Sequence, residues 1–145
     1  MTRDPVFFAY TLTVVVNVLN VMTLWNLSGA ARARTRTTLN PEDAATVVRG
    51  AAVVEAEPPA VARVLRAHRN SFDNTIPFLL LGLLFVFQRP NLLEAQILFG
   101  AFTAARVAFS ITYLAGLQPW RTISYILGVL STLALIVEVC RHAFA

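Results

Sequence analysis

Residues 70–117 read NSFDNTIPFLLLGLLFVFQRPNLLEAQILFGAFTAARVAFSITYLAGL. No charge interrupts the run from Ile76 to Phe87, and Leu92 to Leu117 carries only Glu94 and Arg106. A helix crossing a bilayer needs about 20 mostly apolar residues. The stretch therefore reads as two spans, 70–87 and 92–117, joined by Gln88-Arg89-Pro90-Asn91. So short a turn forces the two helices to run antiparallel.

Working outward, Val6 to Leu27 is a further apolar run. It is too long for a signal-peptide core and lacks a convincing cleavage site, so it reads as a retained anchor. A fourth span covers 121–141, centred on Ile123 to Val139, after the short turn Gln118-Pro119-Trp120-Arg121. The expected fold is all-α, a membrane bundle of four transmembrane helices forming one domain over 1–145. The one long connection is 28–59. Within it, Asn40-Pro41-Glu42-Asp43 has the pattern of an N-cap asparagine, a first-turn proline and acids at a helix start, so a short helix is expected.

The whole composition agrees. The chain is 57% hydrophobic and 14% charged, against roughly 25% charged residues in an average soluble domain. A soluble core of 145 residues could not hide that much apolar side chain. The single cysteine, Cys140, excludes an internal disulfide and argues against a cysteine-ligated metal site. No metal and no nucleic-acid partner is expected; the partner is a lipid bilayer.

All 12 basic residues are arginine. Arg32, Arg34, Arg36, Arg49, Arg63, Arg66, Arg69 and Arg121 fall at one end of the bundle, and Arg3, Arg89 and Arg141 at the other. The arginine-rich end is expected to face the cytoplasm, with both termini opposite. That fits a bacterial inner membrane or an endoplasmic-reticulum-type membrane.

Charged and polar groups at membrane depth are costly and therefore candidates for function. At 100° per residue, Arg63, Arg66, Asn70, Asp73 and Asn74 share about one third of the second helix's circumference. Pro77 continues that face and should loosen the helix. Arg63, Arg66 and Arg69 could simply snorkel to lipid phosphates, but that leaves the deeper Asn70 and Asp73 unexplained. In the third span Arg106, Ser110 and Tyr113 lie on one face. Arg106 needs a partner, and Asp73, at similar depth, is expected to form a structural ion pair with it. Arg121 and Tyr125 stack one turn apart at the start of the fourth span. Thr13, Asn17 and Asn20 form a stripe in the first span suited to helix packing. Glu94 and Glu138, near span ends, are expected to be solvated. The polar faces of spans two, three and four converge at one end as a cationic pocket. It suits a small anionic, peptide-like ligand whose carboxylates arginine can clamp, with an apolar second ligand entering from lipid.

The run Arg63-Val64-Leu65-Arg66-Ala67-His68-Arg69-Asn70-Ser71-Phe72-Asp73-Asn74, followed by Pro77-Phe78-Leu79, resembles the signature of the MAPEG family, membrane-associated proteins of eicosanoid and glutathione metabolism. The likeness extends to Asn40-Pro41-Glu42-Asp43-Ala44, Gly82, Gly100 through Ala108, Tyr113-Leu114, and Arg121 with Tyr125. It covers nearly the whole chain in order and is nearest to the prostaglandin-isomerising branch. The resemblance implies a homotrimer with glutathione bound between neighbouring subunits. It implies that Arg66, Asn70 and Asp73 hold glutathione, with contacts from Arg32, Arg69, Tyr113 and Tyr125. Arg121 would lie near the sulfur, where a fixed cation favours thiolate over thiol. Thr122 matches a hydroxyl that donates to the thiolate, and Asp43 a loop aspartate assisting proton transfer.

Four features depart from that branch. Ala62 stands for a usual glutamate, Asp73 for a longer glutamate and Phe109 for a histidine, and the turn before Arg121 is one residue shorter. The expectation is a glutathione-dependent enzyme of transferase or peroxidase type, acting on a lipophilic electrophile or lipid hydroperoxide. The alternatives are an isomerase of endoperoxide-like lipids and a non-catalytic membrane interaction protein. A transporter is disfavoured because neither an inverted repeat nor a discontinuous helix is visible.

Overall fold

A computed structural model describes residues 4–144; Arg3, counted above among the basic residues, lies outside them. The elements are α1 (Pro5–Thr35), β1 (Thr37–Thr38), α2 (Pro41–Thr46), β2 (Ala52–Val53), α3 (Pro59–Phe87), α4 (Leu92–Ala115) and α5 (Trp120–Phe144). The four long helices are each apolar and long enough to cross a membrane. The protein is an all-α integral membrane bundle, as the sequence indicated.

The helices alternate in direction. Residues 88–91, the start of α1 and the end of α5 share one end of the bundle, and residues 36–58 and 116–119 the other. Helices α3 and α4 pack on each other, α1 lies against both, and α5 lies against both without touching α1.

Helix boundaries follow local chemistry. Asp4 caps α1, its Oδ1 accepting from the Val6 and Phe7 amides at 2.9 and 3.3 Å. The helix does not stop at Leu27 but continues for two more turns, to Thr35. It ends where Arg36 enters the left-handed region at φ 51° and donates its N–H to the Arg32 carbonyl. Nothing in Ser28 to Thr35 breaks a helix strongly, so α1 extends beyond the apolar run. Helix α3 starts at Pro59, about three turns before the predicted span, and runs through Pro77. Helix α4 stops at Gly116, whose φ of 72° suits a C-cap glycine.

The short helix in the long connection forms, with Asn40 at its N-cap position. The Asn40 side chain does not cap the backbone, however. Its Nδ2 donates to Asp43 Oδ2 at 3.0 Å. A parallel pairing of Thr37 with Ala52 and Thr38 with Val53 also ties this connection together. Two residues per strand are too few to show an alternation, so the pairing is not legible from the pattern of residues.

Phe78, Phe85, Phe99 and Phe102 form the core, joined by Val6, Val86, Ala95 and Leu135. Phe78 and Phe102 stack with centroids 3.6 Å apart. Gly82 is closely packed here: a Cβ would sit 3.1 Å from the Tyr10 ring and 3.2 Å from the Phe99 ring, and both rings would have to shift by a few tenths of an ångström. Tyr10 in turn donates to the Leu79 carbonyl at 2.9 Å. Of the polar stripe on α1, Asn17 is fully buried and donates to Thr13 O at 2.9 Å and Thr103 Oγ1 at 3.0 Å. It joins α1 to α4 within one chain, the packing use expected of a buried amide in lipid. Leu12, Leu19, Met22, Leu80, Ile97, Leu130 and Val137 point outward, as a lipid-facing surface requires.

Glu94 and Glu138 are not simply solvated. Arg141 pairs with both, at 2.9 and 2.6 Å, and clamps the start of α4 to the end of α5. Glu94, Glu138 and His142 lie close enough to suggest a metal cluster, but Arg141 already pairs with both carboxylates.

Candidate functional site

A cavity of about 270 Å³ lies between α3, α4 and α5, lined by Asn70, Phe109, Tyr113, Arg121, Thr122 and Tyr125. Helical spacing puts Phe109 and Tyr113 one turn apart on α4, their rings 5.2 Å apart, and Phe109 is 6.2 Å from the Tyr125 ring. The Arg121 guanidinium sits 5.0 Å from the Tyr113 ring centroid, within cation–π range.

Gln118, in the turn before α5, fixes the two polar groups that follow it. In the amide orientation that satisfies both neighbours, its Oε1 accepts from Arg121 Nη2 at 2.6 Å and Nε at 3.2 Å. Its NH2 then donates to Thr122 Oγ1 at 3.0 Å. The Thr122 hydroxyl thus accepts from Gln118 and keeps its own proton available for donation. By sequence alone Gln118 is only a turn residue. Its spacings of three and four from Arg121 and Thr122, across the first turn of α5, were the available signal.

Behind the cavity, Arg106 is fully buried. Its Nη2 donates to Asn70 Oδ1 at 2.8 Å, and its guanidinium carbon lies 4.5 Å from the Phe109 ring centroid. The expected Asp73–Arg106 ion pair does not form in this chain. Asp73 lies three residues past Asn70, rotated off the face that meets α4. It is exposed and pairs with Arg69 at 3.7 Å, one turn earlier on the same helix. Asn70, closer to α4, takes the arginine. Gly128 makes space for this: a Cβ there would lie 3.3 Å from Arg106 Cδ and 3.5 Å from Nη1. Ser71 and Ser110, 3.3 Å apart, continue the polar contact between α3 and α4.

The remaining predicted site residues stand apart from the cavity. Arg66 and Arg69 are exposed on α3. Asp73 borders a separate shallow pocket with Asn74, Pro77, Val129 and Thr132. Arg32 bonds Glu57 across the long connection, a pairing that local spacing does not show because 25 residues separate them. Asp43 is held by Asn40 in α2. Within one chain the structure gathers Asn70, Tyr113, Arg121, Thr122 and Tyr125, and leaves Arg32, Asp43, Arg66, Arg69 and Asp73 outside.

The cavity carries one cation and three hydroxyls and is lined by no acid, so its donors match an anion. At about 270 Å³ it falls just below the usual range of ligand pockets, about 300–1,000 Å³. Fold and cavity together define a small four-helix membrane protein with a cationic, hydroxyl-lined cavity at one end of its bundle.

The MAPEG family's sequence pattern matches residues 10–140. The chain is 34% identical to human prostaglandin E synthase over 144 residues, covering 96% of this chain and 93% of that protein. It is 33% identical to rat microsomal glutathione S-transferase 1 over 141 residues, covering 95% and 91%. The chain belongs to the MAPEG family.

Proposed function

We propose that this protein is a glutathione-dependent membrane enzyme. It would direct the glutathione thiolate at a lipophilic electrophile or a lipid hydroperoxide reaching the site from the bilayer. The observation that carries the reading is Arg121, held between Gln118 and Tyr113 at the edge of a cavity with three hydroxyls. Bound glutathione supplies the sulfur nucleophile. Arg121 favours its ionised form, since a nearby fixed cation lowers a thiol's pKa. Thr122 offers a hydroxyl donor to the same charge, and Tyr113 and Tyr125 offer two more. Asn70, whose Oδ1 is taken by Arg106, keeps its amide hydrogens to position the ligand. Catalysis then rests on positioning and charge stabilisation rather than on a protein nucleophile. The likeness to microsomal glutathione S-transferase 1 supports transferase chemistry.

Arg66, Arg69 and Asp73 lie on the outer face of α3. Charged groups on a membrane helix are costly against lipid, which supports covering that face with a neighbouring copy in a homotrimer. Each glutathione would then lie between two subunits, with Arg66, Arg69, Asp73 and a neighbour's Arg32 as further contacts, and Asp43 available for proton transfer. The arginine excess at this end supports a cytoplasmic orientation for the site, with both termini opposite.

A second reading, isomerisation of an endoperoxide lipid, draws support from the likeness to prostaglandin E synthase. Phe109, an apolar ring in the cavity wall where that branch carries histidine, weighs against it.

The test is a glutathione titration of detergent-purified protein, following thiolate absorbance at neutral pH. Wild type should bind and show thiolate, and Arg121→Ala should raise the thiol pKa by about one unit, a tenfold change in the ionisation constant. Absence of binding in both would overturn the enzyme reading. An unchanged thiolate in the variant would remove the role of Arg121.

A further inference from the structure

A second and larger cavity, about 520 Å³, lies between the end of α1, the start of α3 and the end of α4. It shares no residue with the site above. Leu27, Ala30, Val64 and Leu114 contribute apolar walls, and Arg34 and Arg63 contribute cations. Both arginines are exposed, and neither has a carboxylate partner among the described residues. Glu57, in the connection between α1 and α3, is paired with Arg32.

The Arg63 guanidinium lies beside Gly116, the C-cap of α4. A Cβ on Gly116 would fall 2.8 Å from Arg63 Nη1, so the guanidinium lies directly against this helix C-terminus. The helix end supplies roughly half a negative charge, which leaves the rim cationic. From Leu27 to Arg34 is seven residues, about 10 Å of helix. That exceeds the polar layer of a bilayer leaflet, about 5–8 Å deep. The cavity thus reaches from the apolar ends of three spans to the level of lipid headgroups.

We propose that this cavity binds an anionic phospholipid of the adjoining leaflet. The phosphate lies between Arg34 and Arg63 and the upper acyl chain against Leu27 and Leu114. Charge complementarity selects an anion, because arginine forks match phosphate oxygens and retain their charge. The apolar walls select a lipid over a soluble anion, and basic pockets between transmembrane helices are suited to headgroups. The lipid is a structural ligand that ties α1 to α3 and α4, independent of the glutathione reading.

The test uses native mass spectrometry of the intact protein in mild detergent with equal phosphatidylglycerol and phosphatidylcholine. Wild type should retain phosphatidylglycerol preferentially, and inorganic phosphate alone should not displace it. The pair Arg34→Gln and Arg63→Gln should weaken retention roughly thirtyfold, while Arg34→Lys with Arg63→Lys keeps most of it. Arg49→Gln, a charge change in the connecting segment, should leave retention unchanged. Ala60→Phe fills the cavity with both arginines intact and should also expel the lipid, which keeps the test decisive if the glutamine pair does not fold. Equal retention of the two lipids would overturn the proposal. So would displacement by phosphate, retention by Ala60→Phe, or an equal loss in Arg49→Gln.

Discussion

Asn70→Ala removes the only side-chain hydrogen bond that Arg106 makes among the described residues. The Arg106 Nε and Nη1 are buried and already unpartnered, so the variant would leave a buried cation with no polar partner. A hydrogen bond to a charged group contributes about 1.5–3 kcal/mol in soluble proteins. Interhelical hydrogen bonds in membranes average about 0.6 and reach about 1.7 kcal/mol in double-mutant cycles. Because Arg106 is fully buried and charged, the upper end applies, and a coupling of about 1.5–2 kcal/mol is expected. That is a ten- to thirtyfold change in the unfolding equilibrium. The assay is reversible unfolding in mixed micelles of wild type, Asn70→Ala, Arg106→Met and the double variant. Asn70→Ala should destabilise the wild type and have little further effect once Arg106 is methionine. A parallel cycle of Arg106→Met with Asp73→Ala should be additive to within about 0.5 kcal/mol, as for residues without a shared contact. A coupling below about 0.5 kcal/mol for Asn70, or a larger one for Asp73, would refute the assignment of Asn70 as the partner of Arg106.

Gly128→Val should destabilise by about 1–3 kcal/mol through overpacking, because even a Cβ meets Arg106 Cδ at 3.3 Å; thermal unfolding in detergent measures it. Gln118→Ala frees Arg121 and Thr122 from their shared partner. Losing one such hydrogen bond, at about 0.5–1.5 kcal/mol, should lower kcat with glutathione by roughly two- to twelvefold while glutathione affinity changes less. Glu57→Gln leaves Arg32 without its carboxylate and should speed proteolysis in residues 36–58, read by peptide mapping, with the four long helices still protected.

Much of the bundle is legible because lipid imposes a simple rule: a long apolar run must become a helix to satisfy its own backbone. The turn at 88–91 then fixes direction, and the stop at Gly116 follows from the conformational freedom of glycine. The extension of α1 to Thr35 was not legible from hydropathy, since those two turns leave the apolar run and lack a strong helix breaker. The candidate site was legible by residue type and helical phase. Tyr113, Arg121 and Tyr125 share a cavity because their spacing on two adjacent helices puts them there.

The sequence by itself determined four membrane helices, their alternating order, the arginine-rich end and the family. Tertiary structure decided which polar groups meet. Helical phase placed both Asn70 and Asp73 on one broad stripe, but the packing of α3 on α4 gave Arg106 to Asn70 and left Asp73 to Arg69. It also turned Arg63 onto Gly116 and toward α1, and set Gln118 between Arg121 and Thr122. Periodicity fixes the face of a helix to within about a third of a turn, whereas a hydrogen bond requires a fit of a few tenths of an ångström. Only the neighbouring helix supplies that precision.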